Sequence, residues 1–180
     1  MMRLAVTGRA FVLGDDITTD AIIAGKHCKM ADPARLAPHA LEGVMVDFAG
    51  KVKRAGAGKG NEHPGAILVA GRNFGCGSSR EQAPLALQAA GVNAVVADSI
   101  GRIFFRNAVN LGLPVLKCPG AAAAVKAGDT VTVDIARGYL RFGSDGRLLK
   151  GEPMPHFMTE ILDDGGLVPH IRRRFVDGKA

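Results

Sequence analysis

Three short apolar runs, 66–70 (AILVA), 93–98 (NAVVAD) and 114–118 (PVLKC), alternate with two longer segments of helical texture. The runs carry β-branched residues and are too short for helices, so they predict buried strands. Between the first two, 79–90 is rich in Ala and Leu and is followed by Gly91, a residue suited to closing a helix. Between the second and third, 100–111 predicts a helix with Ser99 as its N-cap and Gly112 and Pro114 as its stop. Strand, helix, strand, helix, strand at this spacing predicts an α/β fold with a mostly parallel sheet. Farther on the period changes to two. The segment 130–136 (TVTVDIA) and, past Gly138, 139–143 (YLRFG) predict a hairpin. A last helix is predicted over 155–164, ending at Gly165 and Gly166, and the tail from Arg172 is predicted to fray.

The chain has 180 residues, which suits one domain over 1–180. Its most loop-like internal segment is 56–64 (GAGKGNEHP). Hydrophobic residues make up 47 % and charged residues 22 %, enough to build a core. With no Trp and one Tyr, an aromatic stacking surface for nucleic acid is not expected. The net charge of +6 is mostly scattered, as on a solvated surface; Lys51, Lys53, Arg54 and Lys59 cluster, and so do Arg172, Arg173 and Arg174. A positive field also favours a small polycarboxylate substrate. Cys28, Cys76 and Cys118 are odd in number and form no CxxC pair, so neither a disulfide framework nor a self-contained metal or iron–sulfur site is indicated. The N-terminus lacks a signal-like apolar run and no segment approaches bilayer length, so the cytoplasm is expected and no membrane partner.

Chemistry concentrates in 73–87 (NFGCGSSREQAPLAL). Ser78 with Glu81, or Ser79 with Gln82, has capping-box spacing, which leaves one serine free to point away. Gly75 and Gly77 allow close backbone approach to a ligand. N–H groups at a helix start carry about half a positive charge, and Arg80 adds a planar fork for a carboxylate. Together these make an anion site; the competing reading is a tight, well-capped turn. The spacing matches neither GxGxxG nor a P-loop. Cys76 is either a nucleophile or an inert thiol, and no histidine lies near it in sequence. A serine alkoxide stabilised by surrounding N–H donors, beside a carboxylate-gripping arginine, suits proton abstraction next to a carboxylate.

The stretch 71–116, which contains that segment, resembles the 3-isopropylmalate dehydratase small-subunit family, the detached counterpart of the swivelling C-terminal domain of aconitase. The likeness extends to GDDITTDAII near the start and GEPMPHFMTEILDDGGLVPHI near the end. It implies a three-layer swivelling β/β/α domain. It implies Ser78 as the catalytic base, with Ser79 and Arg80 binding substrate and Thr19 and Asp20 shaping the site. It places no cofactor in this chain and a [4Fe-4S] cluster on a partner large subunit, with a di- or tricarboxylate substrate between the two.

Three positions depart from the family. Gln82 stands where His is common, and Gly101 where Ala is frequent. In the substrate-recognition loop, Lys26 is followed by His27, Cys28, Lys29 and Met30 in place of a YLRT-like segment. Lys29 keeps a positive charge for substrate binding, as a point charge in place of a fork. Cys28 replaces a leucine expected to meet the isopropyl group. His27 and Cys28 are potential metal ligands, but adjacent residues make a poor site. The implied reaction is dehydration and rehydration of 2-isopropylmalate to 3-isopropylmalate in leucine biosynthesis. The altered loop leaves open a related acid, such as methylmalate, dimethylmaleate or a homoaconitate-like compound. A stand-alone anion-binding module is the reading from a different class.

Overall fold

The structure, a computed structural model, describes residues 5–56 and 65–176. Most of the predicted break at 56–64, including Lys59, and the tail end at 177–180 lie outside the described residues. The strands are β1 (Ala5–Val12), β2 (Ala66–Ala70), β3 (Val92–Ala97), β4 (Val115–Lys117), β5 (Thr130–Asp134), β6 (Tyr139–Phe142) and β7 (Arg147–Lys150). They form one sheet in the order β4-β3-β2-β1-β5-β6-β7. The four strands from β4 to β1 pair in parallel, and β1–β5, β5–β6 and β6–β7 pair antiparallel.

Every residue of β2 is buried, as expected of a central strand covered on both faces. In the hairpin, Val131, Val133, Leu140 and Phe142 are buried and alternate with more exposed neighbours, the predicted period of two. Two strands carry no such signal. β1 (AVTGRAFV) is interrupted by Gly8 and Arg9. The glycine is a steric necessity: a Cβ there would stand 2.1 Å from the Gly65 carbonyl oxygen as the chain enters β2. β7 (RLLK) is a mostly exposed edge strand whose flanking Arg147 and Lys150 guard it against pairing with another chain.

The helices are α1 (Thr19–Ile22), α2 (Pro33–Leu36), α3 (Phe48–Ala55), α4 (Gln82–Ala89), α5 (Arg102–Asn110), α6 (Ala121–Ala124), α7 (His156–Asp163) and α8 (Leu167–Ile171). α4 buries Ala83, Pro84, Ala86 and Leu87, and α5 buries Phe104, Ala108 and Val109. Phe74, in the loop before α4, is fully buried and meets Phe104 edge-on at 5.2 Å.

Two predicted caps do not form. α4 begins at Gln82, and no side chain caps it. Glu81 at its N-cap already has helical backbone angles, and the Gln82 amide instead donates to the Cys28 carbonyl at 3.1 Å. α5 begins at Arg102, and the Ser99 hydroxyl accepts from the Asn73 N–H at 2.7 Å. In each case a tertiary partner takes the side chain that local spacing had assigned to a cap. The predicted fraying at Arg172 also gives way to order: a π-helical turn spans Arg172–Val176, with Arg173 paired to Asp164 at 3.0 Å.

Candidate active site

Three loops leave the C-terminal ends of β1, β2 and β3, the edge where open parallel sheets place their ligands. The Asp15 carboxylate accepts from the Arg72 N–H at 2.8 Å and from its guanidinium at 2.9 and 3.1 Å. The Arg72 N–H, then its side chain, hold the Asp15 carboxyl below the usual carboxylate range. The Asn73 amide donates to Asp16 at 2.8 Å. The Phe74 N–H donates to the Ser99 carbonyl at 3.0 Å, and the Gly101 N–H to the Phe74 carbonyl at 2.8 Å. This stitching holds the loop that leads to Ser78.

α1 is positioned by Thr18, whose hydroxyl accepts from the Ala21 N–H at 3.0 Å and so caps the helix. The Thr19 N–H donates to the Cys76 carbonyl at 2.8 Å, and its buried hydroxyl donates to the Ser78 carbonyl at 3.0 Å. Ser78 and Ser79 are exposed. Arg80 is not: its side chain is 18 % accessible, paired with Asp20 and donating to the Ile23 carbonyl at 3.0 Å. Both contacts run through Nη1, while Nη2 lies over the backbone of Gly25, where a Cβ would approach it to 3.7 Å. Asp20 is itself 61 % accessible, so the pair is braced on one side and open on the other.

Thr19, Asp20, Ser78 and Arg80 are therefore brought together, with Ser79 between the last two. The recognition loop divides. Lys29 is exposed, Met30 packs partly against the core, and Cys28 meets α4 through its carbonyl. Lys26 and His27 turn to a residue that short-range spacing does not point to, Glu42, at 3.3 and 3.0 Å. His39 completes the group, 2.9 Å from Glu42 and stacked on His27 with ring centroids 3.6 Å apart.

Hydrogen bonds from His39, then from His27, with a smaller contribution from Lys26, bring the Glu42 pKa from 4.5 to about 2. The folded value lies below the unfolded one, so this stabilisation is complete above about pH 4.5 and is lost as pH falls toward 2. At 35 % side-chain accessibility, solvent screens the effect. We expect the melting temperature to fall less steeply across that window in Glu42→Gln than in the parent chain, as followed by thermal denaturation at stepped pH.

The cysteines belong to three separate segments. Burial, then the nearby Asp98 charge, push the Cys118 thiol up to about 11, which makes it inert. Among the described residues, one group of three His, Cys, Asp or Glu side chains lies close enough to share an ion, and it contains no cysteine. No helix among the described residues is long and apolar enough to cross a membrane.

Residues 46–120 match the aconitase C-terminal domain family. With the mixed seven-stranded sheet and the loops at its parallel end, this defines an α/β swivel-type domain of the aconitase class. Curated relatives narrow the assignment. The 3-isopropylmalate dehydratase small subunit 1 of Methanopyrus kandleri is 48 % identical over 96 % of this chain and 95 % of its own length. The isopropylmalate/citramalate isomerase small subunit of Methanocaldococcus jannaschii is 40 % identical over 99 % of this chain and 100 % of its own. The crystal structure of 3-isopropylmalate dehydratase from the same organism superposes with a TM-score of 0.84, at 38 % identity and covering 97 % of each chain. The chain belongs to the 3-isopropylmalate dehydratase small-subunit family, and as such it is the small subunit of a hydro-lyase.

Proposed function

We propose that this chain, folded as one swivel domain over 1–180, supplies the proton-transfer half of an isomerase acting on a 2-substituted malate. Its partner is a cytoplasmic large subunit that carries a [4Fe-4S] cluster. The carrying observation is the juxtaposition of exposed Ser78 and Ser79 with an Arg80 braced by Asp20 and the Ile23 carbonyl. Arg80 grips a substrate carboxylate at a fixed position, because its side chain is already held before substrate arrives. Ser79 completes the polar surroundings, Thr19 holds the Ser78 main chain from beneath, and Lys29 offers a second positive charge from the exposed loop. When bound, the partner's cluster supplies Lewis acidity toward the departing hydroxyl.

Ser78 Oγ, as alkoxide, takes the proton from the carbon beside the carboxylate while the C–O bond to the hydroxyl breaks. Return of that proton from Ser78 and of the hydroxide, each to the opposite carbon of the double bond, yields the isomer and regenerates the alkoxide. Ser78 lies four residues before the start of α4, so the helix dipole reaches it weakly. Its alkoxide instead relies on the Arg80 charge and on the closed interface with the partner. The default substrate is 2-isopropylmalate, which becomes 3-isopropylmalate. The smaller Cys28 in the recognition loop, and a relative named for citramalate as well as isopropylmalate, support breadth toward the shorter methyl side group.

The test mixes the chain with its large subunit and follows alkene absorbance over a panel of 2-substituted malates. We expect turnover of 2-isopropylmalate and, more slowly, of 2-methylmalate. Turnover of another acid without 2-isopropylmalate overturns the default substrate; a co-purifying pair inactive on the whole panel overturns the reading.

A further inference from the structure

Three ligand-type side chains outside the proposed catalytic group converge beneath the recognition loop. His27 Nε2 lies 3.0 Å from Glu42 Oε1, and His39 Nδ1 lies 2.9 Å from Glu42 Oε2. The imidazole nitrogens and the carboxylate oxygen all fall within 4.8 Å of one another. His27 is buried, while His39 and Glu42 are about one-third accessible, so the group has a rigid back and an open entrance. We infer that His27, His39 and Glu42 form a binding site for a zinc-like divalent cation that ties the recognition loop to the 3₁₀ turn at Ala37–His39.

The donor set selects the ion. Two imidazoles and one carboxylate suit zinc and its borderline neighbours, whereas magnesium and calcium prefer oxygen alone. Zinc is held by such a His₂Glu set with a fourth position left to solvent. At Zn–N distances of about 2.0–2.1 Å the ion draws the ligands inward, and a tilt of the two rings out of their stack accomplishes this. The carboxylate binds as the anion, as an oxygen ligand to a cation must. Each imidazole need only move its proton to the ring nitrogen that faces away from Glu42. Protons compete with the ion for the same ring nitrogens, so affinity falls as the solution is made more acid. Lys26 now stands 3.3 Å from Glu42 Oε1, and it must leave; its side chain is 70 % accessible and is free to swing into water.

The consequence for the loop is mechanical. Gly25–His27 is a 3₁₀ turn followed directly by Cys28, whose carbonyl accepts from Gln82 of α4. An ion on His27 therefore fixes the loop from below while α4 holds it from the side, one residue from each anchor. This inference stands apart from the substrate reading, since binding is measured on the full chain without substrate or partner.

The test titrates Co²⁺ into the full chain as a spectroscopic probe, then displaces it with Zn²⁺. We expect one equivalent with tetrahedral ligand-field absorption, weakening as the solution is made more acid. In His39→Gln and Glu42→Gln the affinity falls by more than the about 10–100-fold that loss of an outer-shell partner costs. Lys26→Met tightens it. Histidine-selective nitrogen spectra of the parent chain, which do not depend on any variant folding, show Zn²⁺ shifting His27 Nε2 and His39 Nδ1. Absence of a single-equivalent site, undiminished binding in the two variants, or unshifted nitrogens at those positions overturns the inference.

Discussion

Ser78→Ala is expected to lower kcat by about 10²–10⁴-fold, the usual contribution of a positioned proton-transfer group. Co-purification with the large subunit should be unchanged. The separation of the two effects follows from how the residue is held. Its structural contact is made by the main chain, whose carbonyl accepts from Thr19, and alanine keeps that bond. The side chain is exposed, so its loss leaves no cavity and no stranded buried partner. Steady-state kinetics on the assembled enzyme, with thermal melts of the variant chain, measure the two halves separately. Near-normal kcat removes Ser78 from the mechanism. A collapsed melt shows that the hydroxyl serves the fold.

The parallel half of the sheet is legible because its signals are local. β2, β3 and β4 are apolar runs closed by glycine or proline, and α4 and α5 fill the gaps at helical length. β1 and β7 escape the same reading for opposite reasons. β1 is broken by a glycine whose purpose is to let residue 65 pass, and β7 has no buried face to produce a pattern. Ser99 and Gln82 have the right spacing for caps, yet each finds a stronger partner across the fold, Asn73 and Cys28 respectively. Local propensity is a weak prior when a tertiary hydrogen bond competes for the same group.

The candidate site divides along the same line. Ser78, Ser79 and Arg80 are contiguous, and the resemblance adds Thr19 and Asp20. What holds them in place is distant in sequence. Asp15 and Arg72 are 57 residues apart, and Ser99 lies 26 residues from Asn73. The Glu42 group is of the same kind. His27 was visible as a potential ligand beside Cys28, but Cys28 contributes its carbonyl to α4. The real neighbours of His27 come from 12 and 15 residues onward, through the turn at Ala37–His39. No short motif encodes a group assembled that way.

Gly75→Ala should be the most damaging single methyl addition near the site, and it couples the core to the chemistry. Gly75 has φ of +73°, in the left-handed region. Placing an L side chain there costs about 1–2 kcal/mol. The methyl also has nowhere to go: it would stand 2.4 Å from Cγ and 2.5 Å from Cβ of Phe104, deep in the wedge that Phe104 makes with Phe74. Overpacking of this kind costs about 1–3 kcal/mol more. The sum, about 2–5 kcal/mol, is a large share of the about 5–15 kcal/mol that holds a typical domain together. At about 2–4 °C per kcal/mol for a chain this size, the melting temperature should drop by about 4–20 °C. Activity should fall too, because the Gly75 N–H donates to the Ile17 carbonyl at 2.7 Å and that bond registers the Ser78 loop against α1. Phe104→Ala separates the two causes. Alone it destabilises by opening a cavity, but combined with Gly75→Ala it vacates the space the new methyl needs. The double variant should then melt above the sum of the single effects, leaving the backbone strain as the residue. Strict additivity would show that the clash with Phe104 is not what makes glycine necessary at this position.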